Sequence, residues 1–122
     1  MIRWPCSRSA GVTAAFNRNI LRVVNRGVHA DFQPDAFRHV AFYNEQAQRI
    51  EMHLAPESPQ TVHLRDLGVT IQIAPEETIW TESSYKFTLS STEAMLNAAR
   101  LRLEEWTTDP EFRFALALAA PD

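Results

Sequence analysis

Glu82 and Ser84 stand two residues apart in the run Trp80-Thr81-Glu82-Ser83-Ser84-Tyr85-Lys86-Phe87. The stretch from Thr78 to Tyr85 is rich in Thr, Trp and Ile and suits an extended strand. A strand points alternate side chains to one face, which would set this carboxylate and this hydroxyl side by side, about 6–7 Å apart at Cα. A carboxylate accepts hydrogen bonds, and a hydroxyl both donates and accepts. Together they fit a small ligand that carries two polar atoms on a rigid ring, such as an imidazole. The same pattern also fits two solvent-facing residues of an edge strand, with Lys86 as a surface ion-pair partner, because exposed Glu and Ser are the norm. Met52, at the centre of an apolar strand face, reads first as a core residue filling an irregular gap and second as the wall of a ligand pocket.

Other residues of chemical interest point less far. Of His29, His39, His53 and His63, no two have the i, i+4 spacing of a helical metal pair, and one Cys adds little, so no metal site is expected. The histidines read instead as surface or hydrogen-bonded residues. Cys6 has no His at a fixed spacing and cannot form an internal disulfide. Asn17 and Asn19, on the first helix, could recognise a polar ligand or stand inert on a solvated face. The only glycines are Gly11, Gly27 and Gly68, too far apart for a Gly-rich loop that brings backbone amides to a nucleotide. A cofactor site of that kind is expected outside this chain.

Length and composition frame these side chains. A chain of 122 residues, 45% hydrophobic and 22% charged, is an ordinary globular chain of one-domain size. Eleven Arg and Lys86 against 15 acids leave a net charge of -3, so the basic face that nucleic-acid binding requires is missing. Neither a signal peptide's apolar run nor a membrane-length stretch occurs, and a cytoplasmic protein without membrane or nucleic-acid partners is expected.

The elements that must position the candidates follow from periodicity. Val12, Ala15, Phe16, Ile20, Val23 and Val24 recur at three- and four-residue steps, predicting a helix over 11–26 with Gly27 as its C-cap. Pro34 opens a short helical turn. The period then becomes two: residues 39–43 and 49–54 form a hairpin with Ile50, Met52 and Leu54 on one face. Thr61 to Leu64, Val69 to Ile73 and Thr78 to Tyr85 add strands to a small antiparallel sheet. Ser90-Ser91-Thr92-Glu93 has the spacing of a capping box and starts a helix to about Arg100. Two strands close the chain, Leu101 to Thr107 and Phe112 to Leu118. The latter part of the second is apolar on both faces and belongs in a sheet covered on both sides, which points to a missing partner or a missing half.

Several strings in order carry a resemblance: Gly11-Val12-Thr13-Ala14-Ala15-Phe16-Asn17, Asn25-Arg26, Ala30-Asp31-Phe32 with Pro34-Asp35-Ala36-Phe37, His39-Val40-Ala41, Ile50-Glu51-Met52-His53-Leu54, Thr81-Glu82 with Ser84 and Lys86-Phe87, and Trp106-Thr107-Thr108-Asp109-Pro110. From Gly11 to about Leu118 the chain resembles the carboxy-terminal third of histidine-specific, S-adenosylmethionine-dependent methyltransferases. That family trimethylates the α-amino group of L-histidine in ergothioneine biosynthesis. The resemblance implies that Glu82 and Ser84 bind the substrate imidazole and that Met52 lines the same pocket. It also implies that S-adenosylmethionine is held by a cofactor domain preceding the segment seen here. A Tyr that contacts substrate in the family corresponds to Cys6, and the start of the chain departs from the family pattern.

The expected fold is α+β: residues 1–10 an irregular start, 11–86 part of a substrate-recognition subdomain, and 87–122 the edge of a Rossmann-like methyltransferase sheet within a larger α/β enzyme. The expected function is the imidazole-recognising segment of an N-methyltransferase for L-histidine, inactive alone. Two other readings stand beside it. One is a non-catalytic module that binds a small imidazole or amino acid, and the other an enzyme assembled with a second chain carrying the cofactor domain. No residue here is assigned as general base.

Overall fold

The computed structural model describes residues 9–122; Cys6 and the rest of residues 1–8 lie outside the described residues. The described residues form an α+β chain in two compact units, one ending at Tyr85 and the other spanning Lys86–Asp122. No helix among them is long and apolar enough to cross a membrane.

Helix α1 (Ser9–Val28) opens the first unit and is longer than its apolar spacing predicts. It takes in Ser9 and Ala10, expected to be irregular, and runs through Gly27. The left-handed residue that ends it is His29, at φ 47. A non-glycine residue is uncommon there; the His29 carbonyl accepts from the Arg65 amide (3.4 Å) and its Nδ1 lies 2.8–2.9 Å from the Asp66 carboxylate. Asn25 then ties the exit to the helix: its Nδ2 donates to the Phe32 carbonyl (2.8 Å) and its Oδ1 accepts from the Phe32 amide (2.9 Å). A 3-10 turn follows at Pro34–Ala36 with Pro34 at its start, as the proline predicts.

Strands β1 (Phe37–Asn44) and β2 (Arg49–Pro56) make the expected hairpin. β3 (Gln60–Leu64) and β4 (Val69–Ile73) pair with each other, and β5 (Ile79–Tyr85) pairs with β2. The sequence predicts one small sheet here; the first unit builds two, a three-stranded sheet in the order β1-β2-β5 and the separate β3-β4 ribbon. Pro56 is the last residue of β2, still opposite Phe37, and Pro59 lies in the break that follows. The ribbon then packs Val62 and Ile73 into the core, which α1 supplies with Leu21, the connection with Phe32, and the hairpin with Phe37 and Leu54. Phe37 and Leu54 have no exposed surface, and Phe32 meets Phe37 edge-on with centroids 6.1 Å apart.

In the second unit, helix α2 (Leu89–Ala98) starts from Thr88, two residues earlier than the Ser-x-x-Glu spacing suggests. Thr88 is still extended and its hydroxyl accepts from the Ser91 amide (3.1 Å), while the Ser91 hydroxyl accepts from the Thr88 amide (2.9 Å). Ser90 is already inside the helix, so it cannot serve as the cap. Strands β6 (Leu101–Thr108) and β7 (Ala115–Pro121) form an antiparallel pair. β7 starts later than its apolar run because the Asp109 carboxylate takes the amides of Arg113 (2.6 Å) and Phe114 (3.1 Å), holding Phe112 to Phe114 in the connection. Leu116 and Leu118 of β7 are 73% and 55% exposed.

Leu54 touches the core from the strand that holds the three-stranded sheet together. Leu54→Ala is expected to lower the stability of the first unit by about 2–5 kcal/mol, read as a shifted urea midpoint for the transition that α1 and the hairpin share. A midpoint unchanged from the parent would show that this core does not carry the unit.

Candidate functional site

Pairing between β2 and β5 determines which side chains share a face. Leu54 stands opposite Ile79 and His53 opposite Trp80; beyond a register shift, Met52 faces Glu82, Glu51 faces Ser83, Ile50 faces Ser84 and Arg49 faces Tyr85. Ile50, Met52 and Leu54 therefore share a face with Ile79, Glu82 and Ser84. On β1 the same face carries Phe37, His39 and Ala41. This is the face covered in part by α1.

The residues singled out by their spacing are thus neighbours. Met52 is buried directly across from Glu82, within side-chain reach at the spacing of cross-strand pairs, and Ser84 is two residues further along β5. The Glu82 carboxylate is exposed and Ser84 is half-buried. A depression of about 330 Å³ on the β5 edge is lined by Trp80, Thr81, Glu82 and Ser83; Met52 and Ser84 are not part of its wall.

Asn17 departs from the solvated reading given to it. It is 3% exposed and sits under the same face, its Nδ2 donating to His39 Nδ1 (2.9 Å) and to the His53 carbonyl (3.2 Å). The signal was in the spacing: Asn17, Leu21 and Val24 recur at i, i+4 and i+7 on the covered face of α1. Asn19 is exposed. An amide N–H can only donate, so a neutral His39 accepts it at Nδ1. Burial, aided by the nearby Arg18 charge, pushes the His39 pKa below its ordinary value of 6.5.

The opposite face of the sheet is built around Glu51, a charge that sequence reasoning did not single out. Its side chain is 7% exposed, and its Oε1 accepts from Arg49 Nε (2.8 Å) and Asn44 Nδ2 (3.0 Å), while Oε2 lies 3.1 Å from His53 Nε2. Burial alone would raise its pKa, but the hydrogen bonds from Arg49, His53 and Asn44 outweigh it and hold the carboxyl below the usual carboxylate range. The His53 ring is stacked between Phe42 and Trp80, with centroids at 5.3 and 5.7 Å. The Arg49 guanidinium lies over Trp80 at 4.4 Å and donates to the Tyr85 hydroxyl (2.9 Å).

The remaining histidines are also committed, His29 to Asp66 and His63 Nδ1 to Asp31 Oδ2 at 2.9 Å. Among the described residues no three His, Cys, Asp or Glu side chains gather as a metal site requires. Gly11 and Gly27 lie inside α1 and Gly68 closes the turn before β4. None of them stands in a strand-to-helix loop of the kind that holds a nucleotide-like cofactor.

Comparison with known proteins agrees with the strings read along the chain. A family model described as "Histidine-specific methyltransferase, SAM-dependent" matches residues 7–121. The Histidine N-alpha-methyltransferase of Mycolicibacterium smegmatis is 48% identical over 111 residues, which cover 91% of this chain and 35% of that protein. The protein of the same name from Mycobacterium tuberculosis is 46% identical over 110 residues, 90% of this chain and 34% of its own length. The chain thus spans about a third of the length of the curated relatives it matches.

His39 makes stability depend on pH. Its folded pKa is depressed, so its contribution is complete above the ordinary 6.5 and is lost as pH falls from there through the folded value. The urea midpoint of the first unit is expected to fall as pH drops below about 6.5, and His39→Gln to flatten that fall. An equally steep decline in the variant would assign the effect to other groups.

Proposed function

The chain belongs to the histidine-specific, SAM-dependent methyltransferase family, and from that premise we propose that it is the carboxy-terminal segment of an N-methyltransferase acting on the α-amino group of L-histidine. In this reading the segment supplies the imidazole-recognising part of the pocket. Glu82 accepts from one ring N–H, Ser84 meets the second ring nitrogen, and Met52 forms an apolar wall. The observation that carries the reading is the pairing of Met52 with Glu82, with Ser84 two residues along the same face.

The chemistry asked of these residues is binding and orientation. A carboxylate that accepts an N–H discriminates against an amino acid with an apolar side chain, because that ligand leaves a desolvated charge unpaired. Holding the ring by two polar atoms also fixes the direction in which the backbone of the substrate leaves the pocket, and so the place of its amino group. The glycines of this chain do not build a cofactor loop, and we assign S-adenosylmethionine to the part of the family's length outside this chain. When bound there it supplies an already activated methyl group. On this reading the segment on its own is inactive and the complete enzyme is cytoplasmic.

A graft tests the assignment. Residues 11–121 replace the corresponding third of the Mycolicibacterium smegmatis relative, and methyl transfer to L-histidine is followed. The graft is expected to be active, and Glu82→Ala in it to lower kcat/KM for L-histidine on the order of a hundredfold, with weaker discrimination against L-phenylalanine. Unchanged histidine kinetics in the variant would remove Glu82 from the pocket. An inactive graft, together with L-histidine binding by the chain alone, would favour a non-catalytic module instead.

A further inference from the structure

Resting on the reading of Glu82 and Ser84 above, we propose that Thr81 is the positioning residue that decides which face of the sheet those two side chains occupy. The argument lies in the register. Ile79 pairs with Leu54 and Trp80 with His53. An uninterrupted antiparallel ladder would continue with Thr81 opposite Met52, Glu82 opposite Glu51 and Ser84 opposite Arg49. Because faces alternate, Glu82 and Ser84 would then project from the outer face, and Glu82 would meet a second carboxylate that is already buried.

The observed ladder is offset by one residue, with the irregularity between Met52 and His53, so that Glu82 stands opposite Met52 and Tyr85 opposite Arg49. Thr81 is the extra residue that absorbs the offset, a β-bulge. Two side-chain bonds clamp it. The Thr81 hydroxyl donates to the Met52 carbonyl at 2.9 Å, across the strands, and Trp80 Nε1 donates to the Glu82 carbonyl at 3.0 Å, along the strand. Either side of the bulge is anchored separately: Ile79 packs against the core, and the Tyr85 hydroxyl accepts from Arg49. The offset thus turns Glu82 and Ser84, which would otherwise face outward, to the side of Met52. Thr81 acts through the direction it imposes on its neighbour.

The test separates the register from the pocket. Thr81→Val keeps the β-branched shape and removes the hydroxyl, and Thr81→Ser keeps the hydroxyl. In the labelled 122-residue chain, backbone NOEs joining Met52 to Glu82 are expected in the parent and in Thr81→Ser. In Thr81→Val they give way to NOEs joining Met52 to position 81 and Glu51 to Glu82. In the graft, Thr81→Val is expected to raise the KM for L-histidine roughly ten- to a hundredfold, leaving the KM for S-adenosylmethionine unchanged, and Thr81→Ser to restore the parent value. Met52–Glu82 NOEs retained in Thr81→Val, or a histidine KM equal to the parent's, overturns the proposal. Should Thr81→Val not fold, Thr81→Ala is read by the same criteria. A parent graft that does not methylate L-histidine overturns the functional reading, while the NOE comparison still decides what Thr81 does to the register.

Discussion

Strand β2 is hydrogen-bonded on both sides, to β1 and to β5, and it is covered in part on both faces. A strand so enclosed cannot move by one residue without exchanging its faces, since the side-chain period is two. On one side Met52 and Leu54 must stay under α1 and the core; on the other Glu51 must stay among Arg49, Asn44 and His53. Exchange would bury Arg49 and His53 in an apolar core and expose Leu54. β2 is therefore the fixed ruler against which β1 and β5 take their register, and every side chain of the candidate site is placed by its pairing with that ruler.

The charged face shows how such a ruler is held. A buried carboxylate is unfavourable unless its oxygens are hydrogen-bonded and its charge is matched, and Glu51 has both from its own strand and its neighbour. Arg49 does three things at once: it bonds Glu51, lies over the Trp80 ring and donates to the Tyr85 hydroxyl. The last two contacts reach across to β5. One guanidinium thus links the buried charge of β2 to residues on either side of Glu82 and Ser84, and the outer face helps to hold the register that the inner face uses. Histidine stacking between Phe42 and Trp80 extends the same layer over all three strands.

Much of this was legible in the sequence, and the parts that were not share a cause. Helix α1 and the β1–β2 hairpin follow from periodicities of 3.6 and 2, although the apolar row that carries the period of α1, Val12, Phe16, Ile20 and Val23, is exposed and the helix buries Asn17 and Leu21 instead. The placing of Ile50, Met52 and Leu54 on one face needed no more than alternation. What escaped were decisions made by single hydrogen bonds: Thr88 rather than Ser90 capping α2, and Asp109 delaying β7. The separation of the β3–β4 ribbon was hidden for another reason, because pairing partners distant in sequence leave no local mark. At the site itself, alternation from Glu82 to Ser84 was readable, and so was the apolar setting of Met52. The one-residue offset that brings them together was not, because a bulge leaves the composition of a strand unchanged.

Recognition by a carboxylate depends on what surrounds it. Glu82 is exposed in this chain, and water can satisfy an exposed carboxylate almost as well as an imidazole N–H does. Discrimination between a ring that donates and one that cannot appears only when water is excluded, so that an unsuitable ligand leaves the charge desolvated and unpaired. On the proposed reading, then, the three residues are necessary but incomplete as a pocket: they define which polar atoms are addressed, and selectivity requires a cover. The first unit also carries a row of exposed apolar side chains on α1, Val12, Phe16, Ile20 and Val23, at helical spacing and on a different face from the buried Asn17 and Leu21. Such a stripe is unfavourable in water and favourable against a second apolar surface. On the proposed reading the same relation holds within the site and along the helix, since in each the energy is realised only on burial.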